Sequence, residues 1–123
     1  MAAAVSDYKL KKPFAGKLKR SEVPSLELVP TQDLIAAFAA KNKGTYCVAF
    51  ALTDQSSDVE AIAKQKLKDK GVQMVVGNTT RTLGSSDAEV VVVEPESIQW
   101  LSGTKSEVAT AIVGLVAKRV ANS

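Results

Sequence analysis

Apolar and polar positions along the chain fall into short alternating blocks, and the clearest block runs from Thr45 to Gly71. Tyr46, Cys47, Val48, Ala49, Phe50 and Ala51 make a continuous apolar run with the composition of a buried strand. A polar turn follows, and Asp58 to Lys70 then has helical spacing. Ser57 and Glu60 stand at the capping-box separation that satisfies the first free amides of a helix. At about 100° per residue, Val59, Ile62, Ala63 and Leu67 share one stripe that should face the sheet. Lys66 and Lys70 fall in the middle of that stripe, whereas Lys64 and Lys68 point into water. A lysine is almost never fully buried without a partner. Lys66 and Lys70 therefore either meet an anion where the helix overhangs the sheet, or snorkel past the sheet edge at a helix C-terminus that favours cations.

The remaining blocks continue the alternation. Met1 to Val5 is apolar and stops at Ser6-Asp7, as the last turn of a buried strand would, with an upstream portion missing. Ligands of open parallel sheets sit at the carboxyl ends of the strands, so Asp7 is a candidate for metal or phosphate work; the simpler role is a turn or cap. Tyr8 to Pro24 has no periodicity and carries Pro13 and Gly16, which predicts a lid or binding loop, with residues 9–24 as a flexible basic flap. Leu26, Leu28 and Val29 predict a short extended segment ending at Pro30. A helix is expected to begin at Thr31, with Asp33 in its first turn, Leu34, Ile35 and Phe38 on its apolar face, and Asn42-Lys43-Gly44 at its end. Val72 to Val76 predicts a strand closed by Gly77-Asn78. Glu89–Glu94 and Ser97–Leu101, separated by Pro95-Glu96, predict an antiparallel edge hairpin. Thr104 and Glu107 form a second capping box, opening a helix that buries Val108, Ala111, Ile112, Leu115 and Val116. Strand alternating with helix predicts an α/β fold: three layers, a mostly parallel sheet with helices on its faces, and an antiparallel hairpin at its edge.

Composition narrows the chemistry. At 123 residues with 46% hydrophobic positions the chain has the size of one domain or less. It contains no histidine and one cysteine, which removes Ser-His-Asp and Cys-His nucleophile chemistry and makes a zinc site untenable. A metal here would be a hard ion held by carboxylates and phosphates. The lone Cys47 is expected in the core, and with no signal peptide or membrane-length apolar run the expected setting is the cytoplasm, with no membrane partner. The net charge is +3, but Lys9, Lys11, Lys12, Lys17, Lys19 and Arg20 crowd one segment. Nucleic acid, a phosphorylated small molecule or plain solvent could each face that cluster. Only Tyr8 and Phe14 accompany it, which is thin for base stacking, and no nucleic-acid partner is expected. No GxGxxG or Walker loop is present.

Ala-Ala-Ala-Val-Ser-Asp-Tyr (2–8), Gly-Lys-Leu-Lys-Arg (16–20), Leu-Val-Pro-Thr-Gln-Asp-Leu-Ile (28–35), Val-Ala-Phe-Ala-Leu (48–52), Ala-Lys-Gln-Lys-Leu-Lys-Asp-Lys-Gly (63–71) and Gly-Ser-Ser-Asp-Ala-Glu-Val (84–90) occur in that order. Together they resemble phosphopantothenoylcysteine synthetase, the ligase half of a bifunctional coenzyme A biosynthesis flavoprotein, over residues 1–123. The resemblance implies a Rossmann-like fold, here a partial domain that begins after the family's Gly-rich segment. It implies CTP, or ATP, with Mg2+, activating 4′-phosphopantothenate as an acyl-nucleotide that the amine of cysteine converts to an amide. It places the backbone of Met1, Ala2 and Ala3 at the base or ribose, and Asp7 near the ribose or the magnesium. Lys17, on the lid, would steady charge on the reacting carbonyl and phosphate. Gln32, Asp33, Leu34 and Ile35 would meet the nucleotide at a helix amino end, Phe50 would pack against it, and Lys66 and Lys70 would hold the triphosphate. The chain departs from the family pattern at Gln32, Thr53-Asp54, Gln73, Thr79 and Leu83. A homodimer is also implied, for which Val90 to Val93, Ile98 and Trp100 would suit a subunit contact or simply pack under the last helix. An N-terminal ligase segment or flavoprotein decarboxylase half is the other expected partner. The alternative is a non-catalytic nucleotide- or anion-binding module derived from the same fold.

Overall fold

A computed structural model describes residues 5–13, 15–17, 19–20, 25–54, 58–80 and 84–122. The expectations placed on Met1, Ala2, Ala3, Ser57 and Leu83 lie outside the described residues. In chain order the elements are β1 (Tyr8–Leu10), β2 (Leu28–Pro30), α1 (Leu34–Lys41), β3 (Val48–Thr53), α2 (Val59–Lys70), β4 (Met74–Thr79), β5 (Asp87–Glu94), β6 (Ser97–Thr104) and α3 (Lys105–Ala121).

β3 to β6 form one sheet in the order β3-β4-β5-β6. Val48 pairs with Met74 and Thr53 with Thr79 in a parallel β3–β4 ladder. The β4–β5 and β5–β6 ladders are antiparallel. The expected α/β class and edge hairpin are thus present in a mixed sheet. Its parallel part within the described residues is the single pair joined by the α2 crossover, because the hairpin supplies the other two ladders. β1 and β2 form a separate antiparallel ribbon, Tyr8 opposite Pro30 and Leu10 opposite Leu28. β2 coincides with the extended segment expected to end at Pro30, but β1 was not anticipated: the three residues Tyr8-Lys9-Leu10 carry no period long enough to recognise.

The crossover works because α2 is apolar on one face and stopped at both ends. Asp58 caps it, its carboxylate accepting the Ala61 N–H at 3.1 Å. Gly71 ends it in the left-handed conformation at φ 63°, which glycine adopts without a Cβ penalty. The returning chain is then sewn to the start of β3. The Cys47 carbonyl accepts the N–H groups of Gln73 and Met74, and Cys47 N–H donates to Gln73 Oε1 at 2.7 Å. A glutamine serves this junction well because its longer side chain reaches a backbone amide across the strand.

Two apolar layers sandwich the sheet. On one face Ala49, Ala51, Val75, Val91 and Val93 meet Val59, Ala63 and Leu67 of α2 and Ile35 and Ala39 of α1, with Cys47 buried among them as expected. On the other, Met74, Val76, Val90 and Val92 meet Val108, Ile112, Leu115 and Val116 of α3. All four valines of 90–93 are therefore interior, which decides between the two expectations for them in favour of packing within the core, while Ile98 and Trp100 remain exposed on β6. Gly77 does not close β4; the strand runs through it to Thr79. A Cβ at Gly77 would stand 2.9 Å from Val59 Cγ2 and from Val91 Cγ1, so glycine lets the amino end of α2 close on the sheet.

One buried carboxylate locks the far end of the hairpin. Glu94 is 8% exposed and accepts from Arg119 through Nε at 2.7 Å and Nη2 at 3.2 Å, with Ser97 Oγ at 3.2 Å and Tyr46 Oη at 3.4 Å. The Arg119 hydrogen bond holds its carboxyl below the usual glutamate range against the opposing effect of burial. A depressed folded-state pKa means the contribution is complete above the unfolded value and is lost as pH falls through the folded one. Glu94→Ala should lower unfolding free energy by about 2 kcal/mol at neutral pH, measured by urea denaturation. The deficit should shrink as the wild type is acidified through and below the ordinary carboxylate range. Gly77→Ala should cost about 1–3 kcal/mol through overpacking, read in the same titration.

Candidate functional site

A cavity of about 870 Å³ runs along the edge of β3 that has no partner strand among the described residues, lined by residues of the segment before β1, the β2–α1 junction, β3 and the last two turns of α2. Each wall has a local cause. Thr31 pins the segment before β1: its N–H donates to the Asp7 carbonyl at 2.8 Å and its hydroxyl donates to the Ser6 carbonyl. That role corrects the expectation that Thr31 begins a helix. α1 begins at Leu34 with Asp33 as its cap, Oδ1 accepting the Ala36 N–H at 3.1 Å. Asp33 replaces Thr31 there because the hydroxyl is already engaged with Ser6.

The cavity brings together Asp7, Gln32, Asp33, Leu34, Ile35, Phe50, Lys66 and Lys70, residues scattered from position 7 to position 70. Lys17 is exposed in the β1–β2 connection and does not line it. The location also differs from the expected carboxyl edge of the sheet. Lys70 lies three residues before the Gln73 N–H that meets Cys47, so the lysines stand at the amino ends of β3 and β4, and the cavity follows the flank of β3. Asp7 precedes β1, and the strand expected to deliver it, Met1 to Val5, lies almost wholly outside the described residues. Phe50 and Leu52 point to the face opposite Ala49 and Ala51, as strand alternation requires. At 52% and 56% exposure, they line a cavity that wraps around the strand edge.

The two lysines are not equivalent. Lys70 Nζ donates to Asp33 Oδ2 at 2.7 Å, with side-chain exposures of 20% for Lys70 and 47% for Asp33. The anion that meets Lys70 is therefore a protein carboxylate. Lys66 makes no hydrogen bond or ion pair among the described residues, yet its charge reaches Asp33. The Asp33 carboxyl is held below the usual aspartate range, first by the Lys70 hydrogen bond, against burial, and then by the Ala36 N–H and the charges of Lys70 and Lys66. Among the described residues no group of three or more His, Cys, Asp or Glu side chains could hold a metal ion. A divalent cation here would need oxygens from a ligand beside Asp7.

The profile of the DNA/pantothenate metabolism flavoprotein C-terminal domain matches residues 1–120. The chain belongs to this family. A curated relative, the coenzyme A biosynthesis bifunctional protein CoaBC of Thermococcus kodakarensis, is 34% identical over 112 residues, 89% of this chain and 28% of the relative. Among solved structures, the DNA/pantothenate metabolism flavoprotein of Streptococcus pneumoniae aligns with TM-score 0.74 and 21% identity, covering 94% of this chain and 57% of that one. A Cab2 mutant in complex with phosphopantothenate-cysteine aligns with TM-score 0.62 and 20% identity, covering 81% of this chain and 34% of that one. The chain thus spans under a third of the length of the flavoprotein-family relative it matches. No helix among the described residues is long and apolar enough to cross a membrane.

Sequence reasoning missed Thr31, Ser6 and Leu52 as walls of the cavity. Leu52 had a signal, standing two positions from Phe50 and hence on the same strand face. Thr31 had none, because its partners lie 24 and 25 positions away.

Proposed function

We propose that this chain is the C-terminal part of a phosphopantothenate–cysteine ligase of coenzyme A biosynthesis, with CTP or ATP in the β3-edge cavity. The observation that carries the reading is Lys66: a half-buried cation with no hydrogen bond or ion pair among the described residues, on the core-facing side of α2, over a cavity that also holds Asp7 and the amino end of α1. Cations and helix-end amides gathered around one space suit a polyphosphate. They also stabilise a phosphate leaving group without a histidine base. Asp7 would face a magnesium ion carried by the nucleotide, which would supply further charge neutralisation on the phosphates.

In this reading the carboxylate of 4′-phosphopantothenate attacks the α-phosphorus and pyrophosphate leaves. The amine of cysteine then attacks the acyl carbon and the nucleoside monophosphate leaves. Lys66 holds the phosphates, Phe50 and the Gln32–Ile35 turn flank the nucleotide, and Lys17 arrives from the β1–β2 connection, residues 9–24 acting as a lid. The open edge of β3, with Phe50 and Leu52 uncovered beside it, is where a preceding segment of the fold adds a strand and completes the site. A homodimer, using the exposed Ile98 and Trp100 of β6, and a cytoplasmic setting belong to the same proposal.

The Lys17 position, away from the cavity, favours one second reading, a nucleotide-binding module without turnover. The test is CTP-dependent pyrophosphate release, with 4′-phosphopantothenate and cysteine, by the chain alone and with the family's preceding segment supplied. Turnover that requires the segment and falls at least about a hundredfold in Lys66→Ala is expected. CTP binding with no turnover in either form supports the module, and normal CTP affinity in Lys66→Ala overturns both.

A further inference from the structure

We propose that Asp33 is a built-in competitor for the anion site: its carboxylate occupies Lys70 until a polyphosphate takes that lysine, so residue 33 sets how tightly the cavity holds its ligand. The inference rests on the reading of the cavity as a polyphosphate site and adds a residue whose negative charge works against binding. Its basis is the division of labour between the two carboxylate oxygens. Oδ1 accepts the Ala36 N–H and caps α1, while Oδ2 accepts Lys70 Nζ. Ligand binding can therefore remove Lys70 from Oδ2 without uncapping the helix, because a lysine stem is flexible and its ammonium carries three donors. Lys66, with no carboxylate of its own, is the standing attraction; Lys70 is a second cation released on demand.

The competition has a sign. In the free protein the Lys70–Asp33 pair must be given up, and in the complex the unpaired carboxylate lies beside phosphate charge; both effects oppose binding. Asparagine caps a helix as well as aspartate does, so Asp33→Asn removes the competitor and keeps α1. The groups facing Asp33 are Lys70 and Lys66 of α2, and Asp7 lines the same cavity.

Calorimetric titration of wild type, Asp33→Asn, Lys70→Met and the double variant with inorganic tripolyphosphate and with CTP tests this. Asp33→Asn should bind tripolyphosphate about fivefold more tightly, and the gain should shrink when Lys70 is also replaced. Unchanged or weaker binding in Asp33→Asn overturns the proposal, as does an equal gain with and without Lys70, which would report only long-range repulsion. Should a variant fail to fold, the wild type still decides. By carbon NMR the apparent pKa of the Asp33 carboxyl should rise on addition of tripolyphosphate, and no change overturns the competition. Coupling seen with tripolyphosphate while CTP fails to bind overturns the nucleotide reading alone. CTP binding without coupling overturns this proposal alone, and no binding of either probe by any of the four proteins overturns both.

Discussion

Two helix ends meet over the flank of β3, and a single ion pair between Lys70 and Asp33 joins them. Everything the cavity can do follows from how those ends are brought together. The amino end of α1 carries unsatisfied amides and a partial positive charge, and the carboxyl end of α2 carries the opposite. Asp33 and Lys70 each complement the helix end on which they stand, and each also complements the other. The wall of the cavity is thus stable without a ligand, while the charge available to one is less than the residue count suggests. Among the described residues that line the cavity, Lys66 is the cation left without an ion pair.

The sheet explains why this wall is exposed at all. Among the described residues β3 has a ladder on one side only, and its residues alternate between the face packed by α2 and the face where α3 lies over β4 and β5 but leaves Phe50 and Leu52 half exposed. Ala49 and Ala51 are buried, while Phe50 and Leu52, one step along, are half in water. A strand edge with large apolar side chains beside it is a surface that proteins rarely leave bare. Structural neighbours extend well beyond the region this chain matches. In the proposed reading the cavity is the part of a larger site that α1, α2 and β3 contribute.

Much of this was legible in the sequence because it depends on local period. α2, its inward lysines, the hairpin over 87–104 and the capping box at Thr104 and Glu107 are each fixed by residues within one or two turns of each other. The core position of Cys47 and the stripe on α3 are legible for the same reason. What was not legible depends on distant partners. Thr31 looks like a helix start until Ser6 and Asp7 are seen to occupy it. Gly77 looks like a strand terminator until Val59 and Val91 are seen to press from both sides. The valines of 90–93 suit an interface as well as a core on composition alone, and only the position of α2 and α3 on opposite faces decides for the core.

The same limit acts on the lysines, and there it has chemical consequences. A helical wheel identifies cations on an apolar face but cannot show what meets them, because the candidate partner lies 37 positions away. From the wheel, Lys66 and Lys70 are equivalent. In the structure one is paired at 2.7 Å and the other has no ion-pair partner among the described residues, so the two are not equivalent. Two cations would bind a polyphosphate tightly and release its product slowly. In the proposed reading, one cation unpaired among the described residues, with a second reachable only by displacing a carboxylate, would hold the ligand less tightly in the same space, and weaker ground-state binding is what a site needs if its charge is to act in the transition state.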